Sequence, residues 1–221
     1  MPSRRFDRFV DALSRVELSD RAVNQFARDG GDDAGNAIRR ANLSRYLQDL
    51  ASFEPELLLI GEAPSYRGGR LTGIPFVSES LMLRGVSTTD GGTVLGAERG
   101  YLKADVTTKP STEASATMVW GTIRGLDPLP LLWNAFPFHP FHAGNPHSNR
   151  CPISAELTIG QPFIVSLRRL FPIRRVVAIG NSASASLTRM GIDHEKVRHP
   201  SQGGKTKFVE GMDRVSQRRR T

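Results

Sequence analysis

The chain has 221 residues, enough for one substantial α/β domain, and no apolar run approaches the length that spans a bilayer. Its only cysteine, Cys151, excludes a disulfide scaffold and an all-cysteine metal cluster within one chain. Thirty Lys and Arg against 22 Asp and Glu give a formal charge of +8, dominated by Arg, which favours a polyanionic partner, nucleic acid first.

From the N-terminus, Phe6, Phe9, Val10, Leu13 and Val16 share one face of a helix predicted over 5–16. The N-terminal Met1-Pro2-Ser3-Arg4-Arg5-Phe6 lacks the apolar core of a signal peptide, so a cytoplasmic location is expected. Gly30-Gly31-Asp32-Asp33 interrupts, and a second helix is predicted at about 35–51. A strand follows at 56–60. Its Leu/Ile run is unalternated, as expected when both faces are covered. Residues 65–75 read as loop, and Ser78 as the cap of a short helix through Leu83. Residues 86–117, rich in Gly, Thr and Ser, show little periodicity and read as a long surface insertion, either a lid or simply mobile. A second buried strand is expected near 129–135, then a Pro/His-rich loop from 137 to 152 and a helix at about 153–170 that stops before Pro172. Val176-Val177-Ala178-Ile179 is a third buried strand, Gly180-Asn181-Ser182 opens a helix to about 190, and a short fourth strand is expected near 196–198. Strands alternating with helices predict an α/β fold: a three-layer αβα sandwich around a short, mainly parallel four-stranded sheet. The expected organisation is N-terminal helices packed on the core over 1–54, a catalytic domain over 55–210, and a basic tail over 211–221 that ends in Arg218-Arg219-Arg220.

Three of these strands end on a polar side chain. Leu57-Leu58-Leu59-Ile60-Gly61 delivers Glu62, Leu131-Leu132-Trp133 delivers Asn134, and the fourth strand delivers His199. At the edge of a parallel sheet, such ends converge on one site. Gly61-Glu62-Ala63-Pro64, Gly73-Ile74-Pro75-Phe76, Asn134, Asn149-Arg150-Cys151-Pro152 followed by Glu156, and His199-Pro200-Ser201 together resemble the uracil-DNA glycosylase superfamily, most closely its iron–sulfur branch. The resemblance covers roughly residues 55–205.

It implies a monofunctional DNA glycosylase that hydrolyses the N-glycosidic bond of a flipped uracil or related base and leaves an abasic site. The transition state is oxocarbenium-like, and Glu62 would stabilise the sugar cation and orient water. His199 would hold the departing base as an oxyanion-hole donor. Asn134 would read the base through its carboxamide, and Phe76 would stack on it. Ser65 stands where some branches carry a Tyr that excludes the thymine methyl, and Tyr66, one place on, is an alternative bearer of that ring. Ser201, Gln202, Gly203, Gly204 and Lys205 would form the loop that enters DNA. The chain departs from the branch in lacking its four cluster cysteines. Phe138 stands near one of those positions, apolar packing is expected in place of the cluster, and no cofactor is expected.

His139, His142, His147 and Cys151 have zinc-ligand types, but not the spacing of paired-ligand fingers, and histidines near phosphate are the preferred reading. Gly180-Asn181-Ser182-Ala183-Ser184 lacks the final Gly of a nucleophile elbow, so capping by Asn181 or Ser182 is expected instead. Two other functions compete: a glycosylase for a modified base of foreign DNA, acting in defence, and a module that binds DNA without cutting it. No obligate protein partner is expected.

Overall fold

The computed structural model describes residues 3–28, 32–89 and 91–217. In chain order its elements are α1 (Ser3–Ser14), β1 (Ala22–Val23), α2 (Asp33–Ala51), β2 (Leu57–Gly61), α3 (Gly69–Thr72), α4 (Glu79–Arg84), β3 (Val86–Ser87), β4 (Thr93–Val94), α5 (Ala114–Ile123), β5 (Leu131–Asn134), β6 (His139–Pro140), α6 (Ser154–Leu170), β7 (Arg175–Ile179), α7 (Asn181–Arg189), β8 (Glu195–Val197) and α8 (Lys205–Gln217). A four-stranded sheet in the order β5-β2-β7-β8 forms the centre. All its pairings are parallel, with helices around it, as the α/β reading expects.

Every residue of β2 is buried, because the strand is flanked by β5 and β7 and covered on both faces. Its aliphatic run therefore needs no polar alternation. The apolar face predicted for α1 lies inward. Phe6 stacks on Phe171 at 5.4 Å, and Phe9 meets Trp133 edge-on at 5.3 Å, which binds the helix to β5 and to the end of α6. Leu43, Leu47 and Leu50 of α2 are fully buried, and the Tyr46 hydroxyl accepts the Leu132 N–H at 3.2 Å. The N-terminal helices thus close one side of the sheet.

Gly61 pairs with Asn134 across β2 and β5, while Ile179 pairs with Val197 across β7 and β8. The residues that follow each strand consequently emerge at one carboxyl edge, the place where open parallel sheets bind ligands.

Two expectations change. Residues 86–117 are not one irregular insertion. They hold the β3–β4 hairpin and the first turn of α5, whose Ala116, Val119, Trp120 and Ile123 are buried. The buried Glu79–Lys103 ion pair fastens the segment to α4. The basic tail does not begin at 211: α8 runs to Gln217 with Phe208, Met212 and Val215 buried, because these side chains form an apolar stripe on the helix. Residues 218–221, including Arg218-Arg219-Arg220, lie outside the described residues, as do Gly30 and Gly31.

Candidate active site

A cavity of about 570 Å³ opens at the carboxyl edge of the sheet. Glu62, Ser65, Phe76, Asn134, His199, Ser201 and Gln202 all line it, drawn from separate stretches of sequence. The sheet sets their order: Asn134 ends β5, Glu62 follows β2, Asn181 and Ser182 follow β7, and His199 follows β8.

Asn134 is 3% exposed, and its carboxamide makes no hydrogen bond among the described residues, so both its donors and its acceptor are available to a ligand. Beside it, the Phe76 ring lies directly over Gly61. A Cβ on Gly61 would stand 2.2 Å from Phe76 Cζ and 2.9 Å from Asn134 Oδ1, so only glycine lets ring and carboxamide approach together. Phe76 has φ of +55°, a strained conformation for a non-glycine residue. Its carbonyl is held by the Trp120 indole N–H at 3.1 Å, which makes α5 part of the pocket's support.

His199 faces Phe76 with ring centroids 6.4 Å apart. The Ser201 backbone N–H donates to His199 Nδ1 at 3.1 Å, and the Ser201 hydroxyl lies 2.7 Å from the same nitrogen. A nitrogen that accepts a backbone N–H carries no proton, so the neutral ring presents its hydrogen on Nε2. Burial pushes the imidazole below its ordinary pKa; the nearby Glu62 carboxylate opposes this and Arg198 reinforces it. The ring is therefore a neutral Nε2–H donor near pH 7.

Glu62 forms no ion pair among the described residues. The Cys151 thiol lies beside it. Glu62's charge pushes the thiol's pKa up, so Cys151 stays a protonated thiol beside the carboxylate. Cys151 is exposed, although free cysteines are among the most often buried residues.

The motif around Cys151 is structural. Arg150 directs all five guanidinium N–H groups at acceptors: Phe141 O, Cys151 O, Arg21 O and both oxygens of Glu156. Glu156 in turn accepts the Ile153 N–H at the start of α6. The Asn149 side chain accepts the Tyr66 N–H at 2.9 Å, tying this loop to the Glu62 turn.

Several predicted residues lie elsewhere. Tyr66 does not line the cavity; its ring meets His147 and carries the Arg67 guanidinium. Beyond Gln202 the segment turns away into α8. Gly203 and Lys205 are exposed, while Gly204 is buried beneath the His199 carbonyl. Gly180 is the N-cap of α7 and no side chain caps it, so Asn181 and Ser182 face the cavity without capping the helix. His139 is fully buried between the carbonyls of Pro64 and Pro146, separated from the exposed His142 and His147 rather than grouped near phosphate. Phe138 is buried among Phe26, Phe136 and Phe163, and with one cysteine these residues do not fit a four-cysteine iron–sulfur cluster. The sequence reading missed Glu113 and Ser115 at the start of α5, both of which line the cavity.

A short parallel sheet whose polar strand ends line one cavity at its carboxyl edge is the arrangement of a ligand-binding or catalytic site in an α/β protein. The model of the uracil DNA glycosylase superfamily matches residues 48–212, and the chain belongs to that superfamily. By this membership it is a DNA glycosylase, a hydrolase that acts on DNA. Among solved structures, that of wild-type SMUG2 from Pedobacter heparinus is similar in fold, with a TM-score of 0.65 and 15% identity over 99% of this chain and 97% of that one. No curated protein sequence matches. Among the described residues, no helix is long and apolar enough to cross a membrane.

Proposed function

We propose that the protein is a monofunctional glycosylase that hydrolyses the N-glycosidic bond of an extruded uracil or related base. The observation that carries this reading is the single cavity shared by Glu62, Asn134, Phe76 and His199. The base stacks on Phe76, and the Asn134 carboxamide bonds its Watson–Crick edge. As the C1′–N bond breaks, its electron pair leaves with the base. The His199 Nε2–H donates to the base carbonyl, where negative charge collects. Glu62 faces the sugar, stabilises its positive charge, and orients a water that adds to C1′. The product is an abasic site. In this reading the exposed Gln202, Gly203 and Lys205, which follow His199 in the chain, contact the DNA backbone beside the cavity. Ser65, a small residue on the cavity wall, favours a second reading in which the base is larger, such as a modified base of foreign DNA.

Alkaline strand cleavage after incubation with oligonucleotides carrying uracil, hypoxanthine, xanthine or C5-modified pyrimidines tests the proposal. Wild-type protein should cleave at uracil, and Glu62→Gln should lower the rate by about 10² or more while DNA binding persists. Full activity in Glu62→Gln removes Glu62 from the chemistry. Cleavage only at a modified base selects the second reading. DNA binding without cleavage at any base leaves a binding module.

A further inference from the structure

A second cavity, of about 850 Å³, lies apart from the one that holds Glu62. The end of α1, β1, the start of α2 and α3 line it, and the two cavities share no lining residue. α3 stands between them: Gly69 lines the Glu62 cavity, whereas Arg70 and Leu71 line the other. The second cavity is polar at its base, where the buried Ser14, Gln25, Asn36 and Arg39 all contribute.

Two guanidinium groups meet there. Arg39 is fixed: its Nε–H donates to the Leu71 carbonyl at 3.1 Å, and Nη1 donates to Asp32 Oδ2 and Asn36 Oδ1, each at 2.7 Å. Its Nη2 has no partner among the described residues. Arg70 makes one bond, from Nη1 to the Pro146 carbonyl at 3.2 Å, and no carboxylate pairs with it among the described residues. Most of its donor fork is therefore unspent. Burial lowers the Arg70 pKa, the Arg39 charge lowers it further, and Asp32 offsets part of this. The guanidinium stays charged nonetheless. The other charges at the cavity do not neutralise it: Arg15 pairs with Asp11, Asp32 with Arg39, and Glu17 is exposed. A desolvated cation without a partner is costly until an anion joins it.

A phosphate monoester offers three acceptor oxygens and nearly two negative charges. That is enough to engage both forks, whereas a carboxylate matches a single one. The volume lies within the roughly 300–1,000 Å³ of small-molecule sites, and Val16, Leu18, Ala22 and Leu71 supply apolar wall for the organic part of a ligand. We propose that this cavity is a second ligand site, which takes a phosphate-bearing ligand of mononucleotide size with its phosphate against Arg70 and Arg39.

Calorimetric titration of the full chain with dTMP, inorganic phosphate and thymidine tests the proposal. dTMP should bind, phosphate more weakly, and thymidine not. Arg70→Gln should weaken dTMP roughly tenfold to a hundredfold, the range for a lost charged hydrogen bond. Arg70→Lys, which keeps the charge without the fork, should fall between. Asn134→Asp, in the other cavity, should bind dTMP as wild type does. In amide NMR spectra of wild-type protein, dTMP should shift the signals of Asn24, Asn36 and Leu71 and leave those of Ala63 and Ser182 in place, a readout that depends on no variant. Displacement of dTMP by a 5′-phosphorylated oligonucleotide would identify a DNA strand end as the source of the phosphate. No displacement would identify a free nucleotide, and both results uphold the site. Equal displacement by a 5′-hydroxyl oligonucleotide overturns it, because internal phosphodiesters would then be the ligand. So do absence of binding by dTMP and phosphate, thymidine binding as tight as dTMP, unchanged affinity in Arg70→Gln, or amide shifts confined to the Glu62 cavity. Each of these results leaves the glycosylase reading untouched.

Discussion

Arg150→Leu tests whether the Asn149–Pro152 turn is held by one buried ion pair. The Arg150 and Glu156 side chains are 10% and 7% exposed, with a 2.6 Å contact between Nη2 and Oε1. Removing the guanidinium leaves a buried carboxylate whose remaining partner is the Ile153 N–H. Orphaning one member of such a pair costs about 3–5 kcal/mol, a large share of the roughly 5–15 kcal/mol that stabilises a domain. Urea unfolding followed by tryptophan fluorescence is a suitable assay, because Trp120 and Trp133 are both buried. The double variant Arg150→Leu/Glu156→Leu removes the orphan charge and should be more stable than Arg150→Leu alone. Lowering the pH probes the same pair from the side of Glu156. Burial alone would raise the pKa of Glu156, but Arg150 and the Ile153 N–H outweigh it and hold the carboxyl below its ordinary 4.5. A depressed carboxylate contributes stability above its ordinary pKa that is lost as pH falls through the folded value. The gap between wild type and Arg150→Leu should therefore narrow below about pH 4.5. A cost under about 1 kcal/mol, the range of a surface pair, or a double variant no better than the single, refutes the reasoning.

Gly61→Ala places a Cβ against Phe76 and Asn134. It should cost about 1–3 kcal/mol by overpacking and abolish base excision while leaving duplex affinity in place; normal excision would show that neither side chain needs its present position. Trp120→Phe deletes the donor to the Phe76 carbonyl and should cost about 1–3 kcal/mol and raise KM for damaged oligonucleotides, so an unchanged KM would remove α5 from pocket support. Burial holds His139 and His199 below the ordinary histidine value of 6.5. Their stabilisation is complete above that value and declines as pH falls below it, so Tm should drop between about pH 7 and pH 5.5, less steeply in His139→Gln; a flat Tm in wild type contradicts the burial argument.

Three of the four central strands were legible in the sequence because a nearly unbroken apolar run bounded by Gly or Pro has few other solutions; β8, Glu195–Val197, carries no such run. The polar residues after the runs then located the carboxyl edge, and with it Glu62 and Asn134, while His199 was legible from His199-Pro200-Ser201. Two helices were legible but missed. Ala116, Val119, Trp120 and Ile123 follow helical spacing, yet the surrounding Thr, Ser and Gly masked them and the expected insertion boundary at 117 cut through their helix. Phe208, Met212 and Val215 carry a similar signal beneath the basic residues of α8. The paired strands β1–β6 and β3–β4 are two residues each, too short to show a period. Glu113 had no local signal, since its place in the cavity depends on Ser111 being held by α4 and on Gly68 lying opposite.

That dependence changes what the 86–117 segment is for. A mobile lid would carry few anchors. Here Glu79–Lys103 is buried, Ser111 is bonded on three sides, and Trp120 grips the backbone of Phe76, whose left-handed conformation would otherwise cost about 1–2 kcal/mol. These contacts fix two walls of one cavity relative to the sheet: the ring over Gly61 and the carboxyl under Gly68. In the proposed reading, Glu62 and His199 act in bond cleavage, Asn134 and Phe76 meet the base, and the segment between β3 and α5 holds the pocket around them. In that reading, substitutions at Glu62 or His199 should therefore act on turnover for every base, whereas substitutions at Asn134 should redistribute activity among bases.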